Sequence, residues 1–275
     1  MKFPILTIFF LVLSLFYRQA YSQFFDAKAE IASSNYQRVK EAIILKYKDI
    51  SPGKFGEFVK GVKEDVVTNQ KVLALTLDAC GGPNGNGFDK DLIDYLRKEK
   101  IPATLFISGL WIDQHLELFK ELSQDSIFEI ENHGLHHRPC SVRKERPYGI
   151  EATDSIGAAI DEMELNARKI EFYTSHRPLF YRSATAETDE SCAKIAKDLG
   201  MTIVGFEILS GDVGGVNKTI VRQNILNHLK NGAIIIGHFN HPEWNTYEAL
   251  KITVPTLQKL GYKFILLQHH KLTER

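Results

Sequence analysis

The sequence is poor in cysteine, balanced in charge and without an apolar run long enough to cross a membrane. Its 275 residues include three cysteines, none in a Cys-x-x-Cys pair, which argues against a thiolate zinc site. Lysine plus arginine equals aspartate plus glutamate, 34 against 34, so no basic excess favours nucleic-acid binding. Hydrophobic residues at 44% and charged residues at 25% are typical of a globular domain and exclude a disordered chain.

The first 22 residues differ from the rest. Lys2 precedes an apolar run over residues 3–16, and a small-x-small sequence follows at residues 20–22. This order is typical of a secretory signal peptide, and the run is shorter than the roughly 20 residues that a membrane helix needs. We expect signal peptide 1–22 to be removed, which leaves a secreted or periplasmic protein with no stable membrane span. An uncleaved anchor is the alternative.

The remaining chain divides into two parts. Residues 23–69 carry amphipathic patterns that predict helices over 27–31, 36–47 and 55–67, and we interpret them as an N-terminal helical extension. Over residues 70–275, short apolar runs alternate with helical patterns. The runs predict strands at 72–77, 103–107, 127–130, 179–181, 202–206, 233–236 and 264–267. This alternation predicts an α/β fold, an incomplete (β/α) barrel of about seven parallel strands.

Polar side chains follow almost every predicted strand. Asp78, His133, Arg182, Asp212 and His238 each come at or shortly after the end of an apolar run. Because the chemistry of parallel α/β folds lies at the carboxyl ends of the strands, we expect these residues to converge on one face.

Three histidines within five residues point to a metal site. His133 and His137 are four residues apart, and on a helical turn such side chains share one face. His136, at a spacing of three, is the competing partner for His133. Imidazole ligands with an open position for water suit a divalent ion such as Zn²⁺. We predict that His133 and His137 are the metal ligands.

The other residues suit acid–base chemistry. Asp78 could be a general base or a metal ligand. Alternatively, it could be a turn residue with a structural role only. Arg182 could pair with Asp78 and orient it. His238 could act as general acid, with a raised pKa if Asp212 accepts a hydrogen bond from it.

The cysteines allow one disulfide. Cys80 and Cys140 each lie within a few residues of a proposed site motif, so we predict that these two are joined and that Cys192 is free. Export makes such a bond permissible, although the sequence alone does not fix the connectivity.

The ordered motifs resemble those of the polysaccharide deacetylases, the NodB-homology group of carbohydrate esterase family 4. The resemblance covers about residues 71–267 and rests on Leu75-Thr76-Leu77-Asp78, the pair His133 and His137, Arg182, and Ile235-Ile236-Gly237-His238. It implies a distorted (β/α) barrel, a divalent metal that is usually zinc, and hydrolysis of an N-acetyl group on an amino-sugar polymer. It also implies that Asp78 is the general base and His238 the general acid, with Asp212 as the aspartate of the fourth motif.

The chain departs from the family pattern at several positions. Ala79 stands where the family has a second acid that ligates the metal, and Gly134 replaces a hydroxyl residue. The metal would then be held by His133, His137 and either waters or Asp78. Two other functions stay open: a glycan-binding module that has lost turnover, and a different metal-dependent hydrolase of non-peptide carbon–nitrogen bonds. The sequence identifies neither the polymer nor the oligomeric state.

Overall fold

A computed structural model describes residues 24–274. The predicted signal peptide, residues 1–22, lies outside the described residues. Within the described part, no helix has both the length and the apolar character that a membrane crossing requires.

Parallel strands form the centre of the molecule. The strands of the described chain are β1 Phe55–Gly56, β2 Asp65–Val66, β3 Val72–Ala79, β4 Ala103–Ile107, β5 Phe128–Asn132, β6 Phe180–Tyr181, β7 Thr188–Asp189, β8 Thr202–Ile203, β9 Ile208–Leu209, β10 Ile234–His238, β11 Lys263–Phe264 and β12 Leu272–Thr273. The main sheet has the order β8-β6-β5-β4-β3-β10-β9, and β11 pairs with the first residues of β3. All of its pairings are parallel.

The helices of the described chain lie around this sheet, most of them against its outer side. They are α1 Ala27–Ile31, α2 Ser34–Tyr47, α3 Lys90–Glu99, α4 Gly109–Gln114, α5 Leu116–Gln124, α6 Ile156–Thr174, α7 Glu190–Asp198, α8 Lys218–Asn227 and α9 Thr246–Lys259. The sheet curls into an incomplete, distorted (β/α) barrel, so the predicted fold class is confirmed. Six of the seven predicted strands form near their predicted positions. The seventh, predicted over 264–267, overlaps β11 only at Phe264, and a short 3-10 helix begins at Leu267. The strands that the sequence did not predict, β1, β2, β7, β9 and β12, are each only two residues long.

The pleat of β3 separates a wholly apolar face from one that becomes polar toward the end of the strand. Leu73, Leu75, Leu77 and Ala79 pack in the large core between sheet and helices. The alternate residues face the barrel interior, where Ala74 packs with side chains of other strands, and this inner set ends at Asp78. Because parallel strands are buried on both faces, the strand is apolar almost throughout. Each buried leucine contributes about 1.5–3 kcal/mol relative to exposure, so the register that directs Asp78 inward is strongly fixed.

Only part of the predicted N-terminal extension is helical. Helices α1 and α2 form near the predicted positions and pack on α6, where Lys40 pairs with Asp161 at 2.7 Å. The predicted helix over residues 55–67 is wrong. Gly61 there has φ +102, outside the helical range, and a Cβ at this position would lie 2.6 Å from the Cβ of Ala193. Pairing of residues 55–67 with distant parts of the chain therefore outweighs the helical spacing of their apolar side chains.

Residues 63–66, within this stretch, connect β8 to the segment just before β10. The Lys63 amide donates to the carbonyl oxygen of Ile203 at 2.9 Å, and the Val66 amide donates to that of Gly232 at 2.8 Å. Residues 63–66 therefore contact both the β8 side and the β10 side of the barrel. This part of the predicted extension is built into the barrel wall.

The disulfide differs from the predicted one. Cys140 is bonded to Cys192, with their Cα atoms 6.1 Å apart, and Cys80 is the free cysteine. The prediction of a Cys80–Cys140 bond with Cys192 free was therefore wrong. Cys140 forms a parallel bridge with Thr188, and its carbonyl oxygen accepts from the Asp189 amide at 3.1 Å. This pairing brings the first turn of α7, and with it Cys192, against Cys140.

Removing this disulfide is expected to destabilise the fold. The bond joins residues 52 positions apart, and the chain-entropy model gives about 4 kcal/mol for a loop of that size, with about 2–4 kcal/mol typical of measured cases. The double variant Cys140→Ser/Cys192→Ser should lose about 2–4 kcal/mol of unfolding free energy in urea. Reductant should destabilise the wild type similarly and leave the double variant unchanged. Equal urea midpoints for both proteins would contradict the assignment.

Candidate metal and acid–base site

The carboxyl ends of the strands bring the predicted site residues together. Asp78 and His238 lie in register on the paired strands β3 and β10. His133 directly follows β5, Arg182 follows β6, and Asp212 lies three residues beyond β9. All five reach the same end of the barrel, as the positions of the residues after the apolar runs predict.

Arg182 fixes Asp78 inside the barrel. Its Nη1 donates to Asp78 Oδ1 and to Thr76 Oγ1, both at 2.8 Å, and its Nη2 donates to the Gly205 carbonyl oxygen at 2.8 Å. The guanidinium carbon also lies 4.2 Å from the centroid of the Phe106 ring. Both partners of the ion pair are buried. One carboxylate oxygen is therefore committed to Arg182, which leaves Oδ2 for chemistry.

His133 is held in one tautomer. Its Nδ1 lies 2.9 Å from the Arg182 carbonyl oxygen, which only accepts, so Nδ1 carries a proton. Its Nε2 lies 3.8 Å from Asp78 Oδ2 and 3.9 Å from Cys80 Sγ. Burial lowers the pKa of His133, but the charge of Asp78 and the contact with Cys80 raise it overall. The negative charge of Asp78 and the sulfur of Cys80 also favour a cation beside His133 Nε2.

A loop, and not a helical turn, brings His137 to His133. The two rings lie 4.8 Å apart between centroids, as the predicted pairing requires. However, residues 133–137 are irregular, so the expectation of a helical turn was wrong. Gly134 has φ +85 and His137 has φ +53. A non-glycine residue in this left-handed region is uncommon and occurs mainly where surrounding structure enforces it.

Buried Glu162 enforces the shape of this loop. Its Oε1 accepts from the backbone amides of His136 and Arg138, both at 3.0 Å. Burial raises its pKa, and these two hydrogen bonds oppose that rise. A Cβ on Gly134 would lie 2.3 Å from the same Oε1, which explains why a hydroxyl residue is absent there. The sequence analysis missed Glu162; its only signal was an acid on the buried face of α6.

Cys80 is a second residue that the sequence analysis did not place in the site. Its Sγ and one ring nitrogen each of His133 and His137 all lie within 4.8 Å of one another. Burial raises the pKa of the Cys80 thiol, but the charge of His137 and hydrogen bonds to the surrounding histidines hold it well below its usual range. Two imidazoles and a thiolate form a donor set that suits Zn²⁺ and similar ions, so these residues fit a divalent metal.

His238 and Asp212 form the predicted pair. His238 Nδ1 lies 3.1 Å from Asp212 Oδ1, and its backbone amide donates to Oδ2 at 2.8 Å. Thr246 and Ser210 donate further hydrogen bonds to the same carboxylate. Burial lowers the pKa of His238, but the charge and hydrogen bond of Asp212 outweigh it and raise that pKa well above its usual value. Burial likewise raises the pKa of Asp212, whereas His238 and Thr246 lower it overall.

The two tryptophans have different surroundings. Trp244 is partly exposed, stacks on His241 at 3.7 Å between centroids, and presents an edge contact to His238 at 5.3 Å. Trp111 is fully buried, and its Nε1 donates to the Gly87 carbonyl oxygen at 2.9 Å. Of the two, only Trp244 lies where a bound sugar could reach it.

The site lies at the carboxyl end of a curled parallel barrel. It combines a carboxylate, a buried arginine, a histidine–aspartate pair and a metal-binding cluster. This combination defines a hydrolase of the (β/α) barrel class. Residues 65–204 match the family model described as polysaccharide deacetylase. The chain therefore belongs to the polysaccharide deacetylase family, which includes deacetylases that hydrolyse carbon–nitrogen bonds other than peptide bonds.

Known relatives agree with this assignment. The chain is 25% identical over 206 residues to a peptidoglycan-N-acetylglucosamine deacetylase of Bacillus cereus, an alignment that covers 73% of this chain and 88% of the relative. It resembles a solved family 4 acetyl xylan esterase from Clostridium thermocellum in complex with a cobalt ion, with 25% identity, a TM-score of 0.58, and coverage of 72% of this chain and 89% of the other. A Bacillus anthracis protein described as a CE4 family pseudoenzyme shares the fold, with 20% identity, a TM-score of 0.63, and coverage of 84% and 80%.

Proposed function

We propose that this protein is a metal-dependent deacetylase that removes N-acetyl groups from the amino-sugar units of a polysaccharide. One observation carries the proposal. Asp78 and His238 lie in register on adjacent strands, beside the imidazoles of His133 and His137, so a base and an acid flank a metal-binding cluster.

His133 and His137 would hold the ion, for which we propose zinc. A zinc ion at such a site supplies Lewis-acid chemistry, polarising an acyl carbonyl and lowering the pKa of a water molecule. The related acetyl xylan esterase is described in complex with a cobalt ion, which supports a divalent metal in this protein. The buried hydrogen bond from His133 Nδ1 to the Arg182 carbonyl keeps Nε2 directed at the cluster.

Asp78 and His238 would move the protons. Asp78 Oδ2 removes a proton from the attacking water, while Arg182 keeps Oδ1 in place. His238, oriented by Asp212, donates a proton to the nitrogen of the leaving amine as the carbon–nitrogen bond breaks. Water and the acetamido group are consumed, and acetate and a free amino group on the sugar are formed.

The substrate we propose is an N-acetylated amino-sugar polymer. The Bacillus cereus relative is named for peptidoglycan N-acetylglucosamine, which makes peptidoglycan the first polymer to test, with chitin fragments and secreted glucosamine polymers beside it. Trp244 offers a partly exposed aromatic ring next to His238, where a sugar ring could stack.

A glycan-binding module without turnover is the second candidate. Two observations favour it: Ala79 replaces the acid that the family uses as a metal ligand, and one protein of the same fold is described as a pseudoenzyme. A panel of the three polymers, assayed for acetate with added Zn²⁺ or with chelator, separates the two. We expect chelator-sensitive acetate release from at least one polymer. Saturable binding with no acetate at saturating zinc would favour the module.

We also propose export of the protein, from the signal-peptide pattern of residues 1–22. Amino-terminal sequencing of the protein from its native host should begin at Gln23. A mature chain that still contains residues 3–16 would instead indicate an anchor.

A further inference from the structure

We propose that Cys80 is the third protein ligand of the metal site, in place of the carboxylate that the family has at the position of Ala79. This proposal rests on the proposed function in one respect: it takes the bound ion to be the metal that the deacetylase uses. It makes the site a His₂Cys centre formed by Cys80, His133 and His137.

The distances agree with one shared ion. Zinc–sulfur bonds of about 2.3 Å and zinc–nitrogen bonds of about 2.0–2.1 Å, at tetrahedral angles, place sulfur and nitrogen ligands roughly 3.6 Å apart. Cys80 Sγ lies 3.9 Å from His133 Nε2, and the three donor atoms lie within 4.8 Å of one another. Side-chain movements of less than about 1 Å would close the site around an ion.

The pleat of β3 explains why the ligand is at position 80 and not at 79. Ala79 is fully buried in the apolar core between sheet and helices, together with Leu75 and Leu77. A carboxylate there would be buried among apolar side chains, which is costly without a partner. Cys80 comes two residues after Asp78, and the period of two returns the chain to the inner side of the barrel.

The loop after β3 holds the Cys80 backbone in place. Ser108 Oγ donates to the Cys80 carbonyl oxygen at 2.6 Å. The next residue, Gly81, has φ +74, and a Cβ on it would lie 2.6 Å from the Trp111 backbone nitrogen. The turn therefore requires glycine at this position, and it directs Cys80 toward the histidines.

The ion pair with Arg182 favours Cys80 over Asp78 as the ligand. Asp78 Oδ1 accepts a hydrogen bond from Arg182 Nη1 at 2.8 Å, so Asp78 has only one oxygen left. If Oδ2 bound the ion, no carboxylate oxygen would remain to accept the proton from water. A thiolate ligand at Cys80 leaves Asp78 free as the base.

A thiolate changes which metals the site prefers. Soft sulfur ligands favour zinc and cobalt, whereas carboxylates suit magnesium and manganese. We expect the wild-type protein to bind Zn²⁺ and Co²⁺ far more tightly than Mg²⁺ or Mn²⁺. The variant Cys80→Asp restores a carboxylate one position along the chain from Ala79. In this variant, the difference in affinity between Zn²⁺ or Co²⁺ and Mg²⁺ or Mn²⁺ should become smaller.

Cobalt spectroscopy tests the ligand directly, because a thiolate bound to Co²⁺ produces a charge-transfer band in the near ultraviolet and imidazole or carboxylate ligands do not. The full protein with one equivalent of Co²⁺ should show this band, whereas Cys80→Ser and Cys80→Asp should lack it. Cys140 and Cys192 contribute no thiolate because they are joined. Cys80→Ser should also bind zinc at least about 100-fold more weakly, since losing even an outer-shell partner costs 10–100-fold.

The outcomes separate this proposal from the proposed function. One equivalent of bound cobalt without the charge-transfer band in the wild-type protein would overturn Cys80 as a ligand, and so would a failure to bind cobalt at all. Acetate release from the same samples judges the deacetylase function independently. A charge-transfer band in a protein that releases no acetate would support Cys80 as a metal ligand and contradict the deacetylase function. Thermal unfolding of each variant checks that the fold is intact.

Discussion

Replacement of Asp78 by asparagine is expected to lower the deacetylation rate by about 10²–10⁴-fold while the protein retains its metal. Asparagine keeps an oxygen that can accept from Arg182 Nη1, which now lies 2.8 Å from Asp78 Oδ1, but it offers no carboxylate to take a proton from water. The measurement is kcat for acetate release at saturating zinc, with metal content by elemental analysis of the same sample.

Two controls define this result. Asp91, an exposed residue on α3, provides the matched variant Asp91→Asn, which removes a carboxylate of the same size away from the site and should retain activity and metal. Thermal unfolding is needed because the change leaves the buried charge of Arg182 uncompensated, and breaking such pairs costs about 3–5 kcal/mol. If Asp78→Asn instead lost the metal and recovered activity at high added Zn²⁺, Asp78 would be a ligand and not the base.

Replacement of His238 by asparagine is expected to cause a loss of similar size, because the leaving amine would have no proton donor. Burial disfavours the protonated form of His238, yet Asp212 outweighs it and raises its pKa well above the usual value of about 6.5. Since a general acid must carry its proton, activity should persist above pH 6.5 and fall only as the pH passes this raised pKa.

Asp212→Asn tests the direction of this shift. Without the carboxylate, the pKa of His238 should fall, so the alkaline limb of the kcat profile should move to lower pH. A purely structural role for Asp212 would reduce kcat without moving the limb. Identical alkaline limbs in wild type and Asp212→Asn, with zinc content equal, would contradict the proposal that Asp212 raises the pKa of His238.

The sequence was sufficient to predict most of the barrel and the identity of the converging residues. Strands and helices alternate with clear apolar runs, and Asp78, His133, Arg182 and His238 each follow one of them. Their positions at strand ends therefore correctly predicted that these residues lie at the same end of the barrel. Their roles in catalysis and metal binding stay predictions.

The features that the sequence did not reveal depend on contacts between distant segments. Residues 55–67 have helical apolar spacing, yet this stretch pairs with β7, with β12 and with Val204 just after β8. The Cys140–Cys192 bond depends on the pairing of Cys140 with Thr188. The sequence-based prediction places Cys80 in a disulfide, although the alternation from Thr76 through Asp78 directs it to the inner side.

Acetate release by the zinc-reconstituted full chain tests the central claim most directly. The assay uses a defined N-acetylglucosamine oligomer, one equivalent of zinc per protein and Asp78→Asn in parallel. The account predicts many acetates released per wild-type molecule and a rate at least about 100-fold lower in Asp78→Asn at equal zinc content. Equal rates in the two proteins, or no acetate from the wild type with zinc bound and oligomer binding intact, would contradict it.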